Sequence, residues 1–274
     1  MQRALAILSL VLASSASQVY GDWPVLSDPA AVDMSAERLD RINEWMVRSI
    51  ANKDFAGGVT LVARGGKVVH LASHGWLYEE DNIPMRDDAI FRLASMTKPV
   101  ASIALLMLWE EGHFNLDDPI SKWLPAYENM LVKQLDENGN EYLVPAARPI
   151  TVRHIMTHSV AFDNAFAERP ATVEEQVNII ASRPLDAHPG DGWYYRSATN
   201  QVGVLVEKIS GLSLDDFLRE RLFDPLGMPD THFNVPIEKL ERVAAIYGPD
   251  ENLNYQLTSP PEFRPATAYY SGSG

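Results

Sequence analysis

Phe91-Arg92-Leu93-Ala94-Ser95-Met96-Thr97-Lys98-Pro99 sets a serine and a lysine three residues apart, directly before the apolar run Val100 to Trp109. Read as a helix, that run carries Ser95 at its start and Lys98 one turn on, over the same face. A serine hydroxyl attacks only when a base takes its proton, and an amine one turn away is such a base. The unpaired N–H groups of a first helical turn favour negative charge developing there. The spacing occurs once in the chain, and its meaning rests on the residues around it.

The chain has 274 residues, of which 46% are hydrophobic and 22% charged. That suits one large domain or two close lobes with a full core. Net charge is −14 and the pI about 4.9. With no basic run, nucleic acid is not an expected partner, and an acidic surface does not seek anionic lipid. Zero cysteines exclude disulfides, thiol catalysis and thiolate metal sites. Met1-Gln2-Arg3, the apolar Ala4 to Ala13 and the small or polar residues up to Gly21 have the form of a secretory signal peptide. Cleavage near Ser15-Ala16-Ser17 or Val19-Tyr20-Gly21 would release an exported protein, periplasmic or secreted. An uncleaved anchor is the alternative, although the apolar part is short for a membrane span. The expected organisation is a signal peptide over 1–21 and one domain over 22–274.

Ser35 reads as an N-cap, and Leu39, Ile42, Met46 and Ile50 recur at helical spacing to about Ala51, with Gly57-Gly58 as the break. Val59 to Ala63 and Lys67 to Ala72 are β-branched runs joined by Arg64-Gly65-Gly66, the chemistry of a hairpin. Met96 to Glu111 is a helix stopped by Gly112, and Gln134 to Ala147 reads as a polar surface excursion. Thr151 opens a helix through His158, Thr199 to Ile209 is helical up to Gly211, and Ser213 caps Leu214 to Phe223. Beyond Val235 the segments are short and interrupted by proline. A lone two-stranded hairpin needs further strands beside it, so the domain reads as C-terminally incomplete.

A nucleophilic serine also needs a proton relay and an oxyanion site. Lys98 must be partly neutral to act as base, through burial or a nearby cation; Leu93, Ala94, Ile103 and Ala104 are the candidates for burying it. Pro189-Gly190-Asp191-Gly192-Trp193-Tyr194-Tyr195-Arg196-Ser197 is the best source of a relay tyrosine, against the plain reading of packed aromatics. His154 and His158, four apart on one predicted helix, have zinc-like spacing, but Ile155 stands where a metalloprotease carries glutamate, and no third ligand is near. No Gly-x-Ser-x-Gly elbow and no phosphate-cradling loop are present. Glu110-Glu111 and Glu174-Glu175 read as solvated helix faces rather than a glycosidase pair. No cofactor and no metal are expected.

Taken together these stretches resemble the β-lactamase-related serine hydrolases: class C β-lactamases, DD-peptidases and the family VIII-type carboxylesterases built on that fold. Phe91 to Pro99 resembles the nucleophile motif. Glu111 to Ile120, Pro149 to Ser159, Trp193 to Gly203, Phe223 to Met228 and Asp230-Thr231 match in the family's order. The resemblance implies an α+β, two-lobed fold: an antiparallel sheet flanked by helices, plus a helical lobe, with the C-terminal strands missing from the sequence. It implies Ser95 as nucleophile, Lys98 as base and Tyr195 as the catalytic tyrosine. Tyr195-Arg196-Ser197 stands where the family has Tyr-x-Asn or, in its esterase-like branch, Tyr-Ser-x. Ser197 replaces the asparagine, reaches less far and lacks amide donors, which disfavours β-lactam turnover. Ser197 and Arg196 are therefore the expected substrate-binding pair, with an inward Arg196 helping to keep Lys98 neutral. Where relatives continue Thr-Ser-Gly, Ser159-Val160-Ala161 follows His158, and His158 is expected to orient a loop through hydrogen bonds.

The family's third motif, a Lys-Thr-Gly or its His- or Trp-x-Gly analogue on a late strand, is not found; Tyr270-Ser271-Gly272-Ser273-Gly274 resembles the glycine-rich turn that precedes those strands. The expected function is acyl-enzyme hydrolysis of a small ester. Amide hydrolysis of the β-lactamase or DD-peptidase kind, a non-catalytic penicillin-binding-like protein and an inactive fragment are the alternatives.

Overall fold

The computed structural model of the protein describes residues 26–163, 170–251, 255–261 and 269–273. The expected signal peptide and its cleavage sites lie outside them. No described helix is long and apolar enough to cross a membrane.

Helix α1 (Ala36–Ala51) starts where Ser35 Oγ accepts the Arg38 N–H at 3.3 Å, satisfying one of the four free donors of the first turn. It ends at Asn52, so Gly57-Gly58 does not break the helix but opens strand β1 (Gly57–Arg64). β1 pairs antiparallel with β2 (Lys67–Tyr78). Gly65 and Gly66 at the tip have φ of 56° and 73°, positive at both positions as a type I′ turn requires. A short β3 (Ile83–Pro84) extends this to a three-stranded sheet of order β1-β2-β3. α1 packs on it through the buried Leu39 and Met46.

The second lobe is helical. Helix α2 (Thr97–Glu110) turns Ala101, Ala104, Leu105 and Leu108 inward against α5 (Ala198–Ser210). All nine residues from Ala198 to Val206 are buried, so α5 is the central element, buried all round. Around it lie α3 (Val152–Met156), α4 (Val173–Ala181) and α6 (Leu214–Leu218). Ile155, Val177, Leu205 and Phe217 share that one core.

Three expectations are corrected. The polar stretch after Met130 is a hairpin, β4 (Leu131–Leu135) with β5 (Glu141–Pro145). It is anchored where Val132, fully covered, faces Leu185 and where Lys133 N–H donates to Leu185 O at 2.9 Å. α3 stops at Met156 rather than running to His158, so His154 and His158 do not share a helical face. Beyond Val235 the chain forms another hairpin, β6 (Ile246–Pro249) with β7 (Tyr255–Ser259). It is tied to the first lobe by the Ala245 N–H to Leu77 O at 2.9 Å.

Candidate active site

The turn Ala94–Met96 is a 3-10 turn continuing into α2. Ala94, directly before Ser95, has φ of 45°, a left-handed conformation that costs a non-glycine residue about 1–3 kcal/mol and persists only where surrounding structure holds it. Ser95 is exposed and Lys98 half-buried. Lys98 Nζ donates to Ser95 Oγ at 2.9 Å, as the three-residue spacing predicts, and to the Ser273 carbonyl at 2.8 Å. Of the apolar flank, Ala104 is fully buried, whereas Leu93 is 40% and Ile103 46% exposed.

Tyr195 lies on the loop ahead of α5. Lys98 Nζ lies 5.0 Å from its ring centroid. Hydrogen bonding to Ser95 and to Lys98, with the lysine's charge, holds the hydroxyl below the usual tyrosine range against the opposing effect of desolvation. Its loop is clamped by the main chain after α3: Gly190 N–H donates to Ser159 O at 2.8 Å and Tyr194 N–H to His158 O at 2.7 Å. Arg148 adds an ion pair to Asp191 at 2.6 Å. His158, with φ of 54°, thus orients this loop through its carbonyl. Its ring sits 5.0 Å from that of Tyr195 and 6.2 Å from Trp193, and its buried Nδ1 has no hydrogen-bond partner among the described residues. Burial, then the Lys98 charge, hold the imidazole below its ordinary pKa.

Sequence reasoning sends Arg196 inward to the substrate. The structure turns its guanidinium to the Phe162 carbonyl and to Asp186, 2.5 Å away. Asp186 also accepts from Lys133 at 3.1 Å. Arg196 therefore braces the Tyr195 loop against two other segments. Ser197 is buried at the N-cap of α5.

The element that sequence reasoning missed is the Ser273 carbonyl. Residues 269–273 lie along α5: Ser271 Oγ donates to Asn200 Oδ1 at 3.0 Å, and Ser273 Oγ meets Thr199 Oγ1 at 3.1 Å. A Cβ on Gly272 would fall 2.2 Å from the Thr199 carbonyl, so only glycine permits this approach. The glycine-rich Tyr270-Ser271-Gly272-Ser273 is the visible signal, but nothing in it names Lys98, 175 positions away. Among the described residues no cluster of His, Cys, Asp and Glu could hold a metal ion.

The chain as a whole has known relatives. The family model described as Beta-lactamase matches residues 42–272. Esterase EstB of Burkholderia gladioli is 31% identical over 224 residues, covering 75% of this chain and 54% of the esterase. Two solved structures share the fold. EstCE1, a hydrolase with promiscuous acyltransferase activity, superposes with TM-score 0.72 at 24% identity, over 86% of this chain and 68% of its own. A mutant of simvastatin synthase from Aspergillus terreus superposes with TM-score 0.68 at 26% identity, over 83% and 60%. The chain spans 54% to 62% of the length of the first curated relatives it matches.

Proposed function

The chain belongs to the Beta-lactamase family, and from that premise we propose that it is an exported serine hydrolase that cleaves small esters through an acyl-enzyme on Ser95. The observation that carries the reading is the Lys98 Nζ to Ser95 Oγ hydrogen bond of 2.9 Å, with the Tyr195 ring centroid 5.0 Å from the same Nζ.

In this reading Ser95 Oγ attacks the ester carbonyl and its proton passes to the Lys98–Tyr195 pair. Lys98 is steadied for that role by the Ser273 carbonyl. The tetrahedral oxyanion is met by the Ser95 backbone N–H, one of the donors such a site needs. Tyr195 returns the proton to the leaving oxygen, the C–O bond breaks and the alcohol departs. Water then attacks the acyl carbonyl and gives its proton to the same pair, which passes it to Ser95 Oγ as the acyl C–Oγ bond breaks and a carboxylic acid leaves.

Ester rather than β-lactam chemistry is favoured by Ser197 in the asparagine position and by the esterase among the relatives. Arg196, matched by Asp186, is not available to hold the carboxylate that β-lactams and peptidoglycan stem peptides carry. Comparing kcat/KM for p-nitrophenyl acetate and butyrate with that for a chromogenic cephalosporin tests the choice. The esters are expected to be the better substrates by at least about tenfold; the reverse ranking contradicts the reading.

A further inference from the structure

Trp193 stands two residues before Tyr195, and its indole is 69% exposed. The loop that carries it is clamped by its main chain on both sides, at Gly190 and Tyr194. Its ring centroid lies 5.9 Å from that of Tyr195 with an interplanar angle of 30°. The two rings form a shallow, continuous apolar floor, backed by His158. Met96, next to Ser95 in the chain, is 67% exposed.

The chemistry of the site decides what lies on that floor. Tyr195 hands its proton to the leaving oxygen, so the group attached to that oxygen lies on the Tyr195 side, over Trp193. The guanidinium groups near the loop are matched by carboxylates, Arg196 by Asp186 and Arg148 by Asp191. We propose that Trp193 is the leaving-group platform of this site, selecting esters of flat, uncharged aromatic alcohols. This rests on the ester-hydrolase reading for its kinetic half, but the platform itself can be tested without turnover.

Two measurements on the full chain decide it. In the first, kcat/KM is measured for 1-naphthyl acetate and for vinyl acetate, which share the acyl group. The ratio of the two is expected to fall about tenfold in Trp193→Ala and to be largely restored in Trp193→Phe. A purely structural residue would lower both substrates together and leave the ratio unmoved. In the second, 1-naphthol is titrated calorimetrically into Ser95→Ala, with and without Trp193→Ala; the second substitution is expected to weaken binding about tenfold. A ratio that stays within about twofold, or naphthol binding indifferent to Trp193, overturns the platform. Naphthol binding through Trp193 in a chain that hydrolyses neither ester supports the platform and overturns the hydrolase reading instead.

Discussion

Lys98 reaches Ser95 Oγ at 2.9 Å while the same Nζ donates to the Ser273 carbonyl at 2.8 Å, 175 positions away in the sequence. In the proposed mechanism, therefore, the lysine that serves as base is aimed by a carbonyl. Lys98→Ala removes the proton acceptor while leaving an exposed helix start, so it should slow acylation by an activated ester at least about 100-fold. The circular dichroism spectrum and Tm should barely change. Undiminished acylation at neutral pH would place the base elsewhere.

Tyr195 carries the second prediction. Its hydroxyl is held below the ordinary value of 10.0, chiefly by hydrogen bonding to Ser95 and, after an opposing desolvation, by Lys98. If the deprotonated form helps to accept the serine proton, acylation should rise with pH through an apparent pKa below that value. Tyr195→Phe should abolish this limb and lower kcat by about 100-fold or more. A pH–rate profile identical in the two proteins would remove Tyr195 from proton transfer.

Gly272 tests the aim of the lysine. An alanine Cβ there would meet the Thr199 carbonyl at 2.2 Å, so the segment must lift away from α5 and take the Ser273 carbonyl with it. Gly272→Ala should cost about 1–3 kcal/mol of stability and lower kcat about tenfold or more. Ser273→Ala keeps the carbonyl and should be mild by comparison; equal losses would mean that the contact does not matter.

The histidines set a pH dependence of stability. His70, His154, His158 and His232 all lie below the ordinary 6.5, in each case first because of burial. The unfolded chain therefore binds protons at a higher pH than the folded one. Their contribution is complete above about pH 6.5 and is lost as pH falls toward the folded values. Glu207 and Asp215, pushed up by burial, act in the opposite sense. Tm is expected to fall by at least ~2 °C between pH 7.5 and 5.5, with a shallower slope in His70→Gln/His232→Gln. A flat or rising Tm would contradict this.

Much of the frame was legible because it is local. The Ser35 cap, the Gly65-Gly66 turn, the stop at Gly211 and the Ser95–Lys98 spacing each follow from residues within a turn of one another. Features set from a distance were not. The β4–β5 hairpin buries Val132 against Leu185 but leaves Leu131, Leu135 and Leu143 exposed, so no clean alternation of apolar and polar residues marks its strands. The β6 strand contains Pro249, which a strand reading rejects. His158 takes a left-handed conformation without being glycine or asparagine, so no residue type marks the end of α3. The direction of Arg196 depends on Asp186 and the Phe162 carbonyl, and that of Lys98 on Ser273, contacts that only the packed chain creates.

The central claim is that Ser95 is the nucleophile. Intact-mass and peptide analysis after incubation with a fluorophosphonate tests it most directly. One adduct on the peptide containing Ser95, absent from Ser95→Ala and slowed in Lys98→Ala, is the result predicted. No adduct on the wild-type chain, or an adduct that persists in Ser95→Ala, would contradict the account.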